Sequence, residues 1–150
     1  MASFNKFQIF VQDVGQKVHN LNSDTLKIML SNTAPAATDT VNGNETEISA
    51  GNGYVAGGAT VASNAYTESS GTATLVGNAV SWTASGGSIG PFRYAILYNN
   101  AAGADSTHRP LIGWWDYGSS LTLNNGDSFK VAADSSGSNW STGTPILSLA

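Results

Sequence analysis

The apolar residues change period at about residue 23, and that change restricts the fold more than any other feature of the chain. In Thr25-Leu26-Lys27-Ile28-Met29-Leu30-Ser31, the residues Leu26, Ile28 and Leu30 alternate and so share one face of a strand. Similar short runs recur downstream, cut by Gly, Asn and Ser. Thr72–Val76 and Ala79–Thr83 flank Gly77-Asn78, a pattern that predicts a two-residue hairpin. Phe92-Arg93-Tyr94-Ala95-Ile96-Leu97-Tyr98 is apolar on both faces in its second half, as a central strand is. Leu111–Tyr117 reads as a strand, Leu121–Leu123 and Ser128–Val131 as a second hairpin around Asn124–Asp127, and Pro145–Leu149 as a closing strand. Between them lie a long loop, Asn32–Thr46, and an extended stretch from Gly51 to Ala62. The glycines of that stretch point to a bulge or a close backbone approach. Short strands at this spacing predict an all-β antiparallel sandwich of jelly-roll or immunoglobulin-like type.

Ahead of the strands the spacing is helical. Phe4, Phe7, Val11, Val14, Val18 and Leu21 are separated by threes and fours, which draws one apolar stripe. The expected organisation is an amphipathic helix over residues 1–22 and a sandwich over 23–150, one domain overall. Ser3 is the expected N-cap. Ile9 and Phe10 lie off the stripe, so the helix either packs on its own sheet or turns a second apolar side to a neighbouring subunit.

Charge excludes several partners. Of 150 residues only 11% are charged, the net charge is −4, and the six Lys and Arg are scattered singly. Nucleic-acid binding needs clustered cations to displace counterions, and a polybasic membrane anchor needs them too, so neither is expected. No apolar run approaches the ~20 residues of a membrane-spanning helix. The chain contains no Cys, which removes disulfides, thiolate zinc sites and thiol catalysis. Met1-Ala2-Ser3-Phe4 carries no basic leader, so synthesis in a cytosol is expected, and the sequons at Asn44 and Asn139 carry little weight.

Catalytic patterns are weak. Gly86-Gly87-Ser88-Ile89-Gly90 has the letters of a nucleophile elbow, but Pro91 and an aromatic strand follow where a helix is required. His19 and His108 are the two imidazoles, one near the helix end and one in a polar loop beside Asp105 and Arg109. The acids are dispersed, and Glu45 and Glu47 alternate on one side of an extended segment, as on a solvated edge. Gly51-Asn52-Gly53 lacks dinucleotide spacing. No catalytic, cofactor or metal-ligating residue is assigned, and no enzyme activity is expected. Trp114, Trp115 and Tyr117 share one strand, with Trp115 and Tyr117 on one side and Trp114 on the other. With Trp140 they could form an aromatic patch that stacks on a sugar or anchors a protein.

Several blocks resemble the small virion proteins of tailed bacteriophages. They are Phe4-Asn5-Lys6-Phe7, Asp13, Lys17-Val18-His19-Asn20-Leu21, Ser23-Asp24-Thr25-Leu26-Lys27 and Leu30-Ser31-Asn32-Thr33-Ala34-Pro35. Glu47-Ile48, Gly51-Asn52-Gly53-Tyr54, Gly57-Gly58 and the Phe92–Tyr98 strand extend the likeness over most of residues 4–98. The resemblance implies a non-enzymatic head decoration, or cement, protein on the outer surface of the capsid. It implies the major capsid protein as partner, commonly with a homotrimer at local three-fold positions, and supplies no catalytic residues. A fibre or tail component is the nearest variant. Phe4, Phe7 and Phe10 are the residues expected to meet a neighbour, and Trp114, Trp115 and Tyr117 carry the alternative of a glycan-binding surface.

Overall fold

A computed structural model describes residues 2–131 and 145–150. Its elements are β1 (Phe4–Lys6), α1 (Gln8–Gly15), β2 (Leu26–Ser31), a 3-10 turn (Asn42–Asn44), β3 (Ala59–Thr60), β4 (Ala65–Ser69), β5 (Thr72–Val76), β6 (Val80–Thr83), β7 (Ile89–Asn99), β8 (Leu111–Leu123), β9 (Ser128–Val131) and β10 (Leu147–Leu149). All strand pairs are antiparallel. The largest sheet has the order β1-β8-β7-β2-β3; β10-β5-β4 and β6-β9 form two smaller ones.

The sheets meet in a sandwich because alternation in β2 and β7 directs side chains to both sides. Leu26, Ile28, Leu30, Ala95, Leu97 and Ile112 of the large sheet share a core with Leu75, Val80, Trp82, Val131 and Leu147 of the smaller ones. Met29, Tyr94, Ile96, Tyr98 and Leu111 form a second cluster with Phe7, against which Ile9 and Trp114 pack. The large sheet is therefore buried on both faces, which is why β7 reads as apolar throughout and lies between β8 and β2. Register breaks between Ile89, Phe92 and Tyr94 turn Phe92 onto the same side as Ala95 and Leu97 despite its even number.

The close approach expected of the glycine stretch occurs at Gly58. Its φ is +73°, and a Cβ there would collide with the backbone of Ile28 and Met29.

Neither expected hairpin forms. β5 pairs with β4 and β10, whereas β6 pairs with β9, so Gly77-Asn78 is a corner where the chain leaves one sheet for another. Asn124–Asp127 does make a turn, through Asp127 N–H to the Asn124 carbonyl at 2.8 Å, but it too delivers the chain to the sheet of β6. The tight hairpin is β4–β5, where Ser70 and Gly71 both take positive φ.

The N-terminal segment also departs from the periodic reading. Phe4–Lys6 is a strand paired with β8, and the helix is confined to Gln8–Gly15. Ser3 does not cap it; Phe7 occupies the cap position, and the Gln8 amide donates to the Ala37 carbonyl at 2.9 Å. At the other end Lys17 takes φ +61°, while the Val18 amide donates to Asp13 and the Lys17 amide to Val14, a Schellman closure.

The buried side of α1 is Phe10 and Asp13, not the stripe. Phe7 (0% exposed) and Phe10 (1%) go to opposite faces of the large sheet, so the chain wraps its edge. Neither offers surface to a neighbour, and that expectation is corrected: both are core residues. Phe4 is half-buried, edge-on to Trp115 at 5.0 Å.

Candidate functional site

With Phe10 and Asp13 turned inward, the opposite side of α1 carries Val11 (59% exposed) and Val14 (38%), two of the four large apolar side chains exposed among the described residues. An open cavity of about 360 Å³ continues from this side, lined by Val14, Lys17, His19, Asn20, Leu21, Asn22 and Tyr66. The Schellman closure forms its near wall, and the Tyr66 amide, donating to Asn22 Oδ1 at 3.2 Å, ties the far wall to β4.

Behind the cavity is a polar network. Asn99 Oδ1 accepts from the amides of Ala101 (2.9 Å) and Ala102 (3.1 Å), so its NH₂ group must face the other way. It does so toward Asp24 Oδ2 at 2.6 Å and His19 Nδ1 at 3.1 Å. Asp24 Oδ2 also accepts the Asn20 amide at 2.8 Å. The His19 side chain has no solvent exposure, lies against the Phe10 ring, and holds Nε2 3.8 Å from Asp13 Oδ2. Burial lowers its pKa to about 4 against the opposing pull of Asp24, and burial raises that of Asp13. The network joins acids to a base, contains no nucleophile, and ties the end of α1 to β7.

The other histidine sits in an exposed turn. His108 Nδ1 lies 2.8 Å from both Asp105 Oδ1 and Thr107 Oγ1, while Asp105 Oδ1 also accepts from Thr107 Oγ1 at 2.6 Å. The hydrogen bonds from Thr107 and His108 lower the Asp105 pKa to about 2. A catalytic triad uses the two ring nitrogens for different partners; here one nitrogen faces both, which is a turn arrangement. Ser88 is exposed, and β7 follows it directly in place of the helix an elbow requires.

The β8 aromatics do not gather into one patch. Trp114 packs against Phe7 at 4.5 Å, Trp115 against Phe4, and Tyr117 (54% exposed) stands edge-on to Phe129 at 5.8 Å. Trp140 lies outside the described residues, as does Asn139 of the second sequon.

Glu45 and Glu47 are not on a solvated edge. Glu47 Oε1 accepts from Tyr54 Oη at 2.7 Å and from the Gly57 amide at 2.6 Å, and Tyr54 Oη in turn accepts the Leu30 amide at 3.0 Å. Glu45 is half-buried, and burial together with the neighbouring Asp39 carboxylate pushes its pKa up to about 7. Among the described residues no group of three or more His, Cys, Asp or Glu is placed to hold a metal ion, and no helix is long and apolar enough to cross a membrane.

Comparison of the chain with protein-family models, with curated proteins and with solved structures finds no match.

Proposed function

We propose that this chain is a bacteriophage virion structural protein, a decoration protein that acts without catalysis by docking on the major capsid protein lattice. The observation that carries a docking role is the outer side of α1, where Val11 and Val14 stand in solvent beside a walled cavity while the larger Phe10 fills the core. Exposed apolar side chains on a short, tied-down helix gain free energy when a partner covers them, and a rigid helix loses little entropy in the process. The phage assignment draws its support from the resemblance of residues 4–35, which include this helix and the cavity wall.

The mechanism of stabilisation is linkage. A protein that binds the assembled shell and not its free subunits raises the free energy needed to disrupt the shell. A trimer at a local three-fold position, on the outer surface of the head, multiplies a modest contact by effective concentration.

The test is co-sedimentation of purified protein with phage heads that lack it, followed by thermal melting of the heads. The expected result is saturable binding and a raised disruption temperature. Heads of the matching phage that remain bare at every salt concentration would overturn the reading. Binding to host polysaccharide, followed by tryptophan emission, would replace it with the glycan-binding alternative.

A further inference from the structure

Phe10 and Leu21 are both in the core, and between them the chain has few side chains to hold it. Residues 14–17 and 20 are exposed, whereas the His19 side chain is wholly out of solvent. Its ring reaches from beyond the helix end to β7, where Nδ1 accepts from Asn99 Nδ2 at 3.1 Å. Nε2 is buried with no hydrogen-bond partner, and Asp13 Oδ2 of α1 lies 3.8 Å from it, beyond bonding distance. The ring stands between a neutral donor on the sheet and an acid on its own helix.

We propose that His19 is a proton-operated latch. Neutral, it ties the end of α1 to β7 through Asn99; protonated, it exchanges Asn99 for Asp13 and frees residues 14–20 from the sheet. An imidazolium carries N–H on both nitrogens and offers Asn99 no acceptor. Asn99 cannot answer by turning its oxygen inward. That oxygen holds the Ala101 and Ala102 amides, and Nδ2 also donates to Asp24 Oδ2 at 2.6 Å. Toward Asp13 the ring has only about 1 Å to close before a charge-assisted hydrogen bond forms.

The titratable and charged groups around His19 are Asp13 from α1, Asp24 from the connection to β2, and Lys17 and Tyr66, which line the same cavity. The carboxylates favour the imidazolium, whereas burial and the Asn99 donor oppose it. Burial prevails, which places the proton uptake below neutral pH. The open cavity brings solvent, the source of the proton, up to the residue.

The moving piece is bounded at both ends. Upstream, Phe10 fixes the start of α1 in the core. Downstream, Asn64 Nδ2 donates to the carbonyls of Leu21 at 2.7 Å and Asp24 at 3.2 Å, bonds between neutral groups that acid leaves alone. Release is therefore local, and the sandwich stays folded. Val14 lies within the moving piece, so the latch acts on the side of α1 proposed to dock, but it rests on the fold alone.

The experiment is amide hydrogen exchange of the intact chain between about pH 7 and pH 4, corrected for the intrinsic rate at each pH. The amides to follow are Val18, which donates to Asp13 O at 2.9 Å, and Asn20, which donates to Asp24 Oδ2 at 2.8 Å. Their protection should fall on the order of a hundredfold more in wild type than in His19→Gln, while amides of the β2–β7 pair keep theirs. The glutamine retains an acceptor for Asn99 and does not titrate. Asn99→Asp is the second variant: it sets an acceptor opposite Nδ1, so the ring should titrate above 6.5 and residues 16–20 should stay protected in acid. Unchanged protection of Val18 and Asn20 in wild type would overturn the latch. So would an equal loss in His19→Gln, a loss shared by the β2–β7 amides, or an unaltered ring titration in Asn99→Asp.

Discussion

The side-chain amide of Asn99 donates to His19 Nδ1 at 3.1 Å, which fixes that ring as the neutral tautomer with its proton on Nε2. A protonated His19 would set two donors against each other, because the Asn99 amide cannot turn round without losing Ala101 and Ala102. The groups facing the ring are Asp13 from α1, Asp24, Asn99 from β7 and the Phe10 ring.

A pH dependence follows. The folded pKa of His19, about 4, lies below its ordinary 6.5, so the unfolded chain binds more protons between the two. Its contribution is fully present above pH 6.5 and is lost as pH falls toward 4. Glu45 and Asp13, both raised, act with the opposite sign and are lost as pH rises through their folded values. Comparing wild type with His19→Gln cancels them. The difference in unfolding free energy should shrink on the order of 2 kcal/mol from pH 7 to pH 4. Parallel urea-midpoint curves over that range would contradict the assignment.

Tyr54→Phe tests the link between Glu47 and β2. Tyr54 is 2% exposed, and its hydroxyl is the partner of both the Leu30 amide and the Glu47 carboxylate. Removing that oxygen strands a buried N–H and takes one hydrogen bond from a carboxylate, at a cost of about 2–4 kcal/mol. Urea unfolding followed by Trp82, whose ring centroid lies 6.2 Å from that of Tyr54, gives the measurement.

Gly58→Ala should be more damaging than its size suggests. The added methyl meets the Ile28 and Met29 backbone, and the positive φ penalises any Cβ by about 1–2 kcal/mol before contact is counted. Loss of more than about 2 kcal/mol is expected, with early exchange of the β2–β3 amides. Gly126→Ala is the control: its φ is +95° and its Cβ meets nothing within 4 Å, so it feels the backbone term alone.

How much of this was readable beforehand varies by element. β2 and β7 were legible because both bury side chains on each face, and alternation with a doubly apolar run records that directly. The corners at Gly77-Asn78 and Asn124–Asp127 were legible as turns but not as connections. Turn letters report where the chain bends; whether the next strand pairs locally is decided by burial of Trp82 and Phe129 between sheets. The register breaks around Phe92 have no local signature beyond Pro91. The burial of Glu45 was obscured because an extended reading of Glu45 and Glu47 takes no account of the 3-10 turn at Asn42–Asn44 that comes just before them.

The helix stripe failed for a reason that can itself be measured. Spacing counts Val11 and Val14 equally with Phe10, but a phenyl ring buries far more area than an isopropyl group, so the ring takes the core and the valines face water. Phe10→Ala should therefore cost about 3–5 kcal/mol, whereas Val11→Asp, at an exposed helical site, should change stability by no more than about 0.5 kcal/mol. The docking reading requires the reverse order in attachment. Val11→Asp combined with Val14→Asp should leave the far-ultraviolet spectrum unchanged and abolish co-sedimentation with bare heads, because two desolvated carboxylates replace two apolar contacts. Full attachment by the double variant would remove α1 from the interface and direct the search to the exposed Val55 and Tyr117.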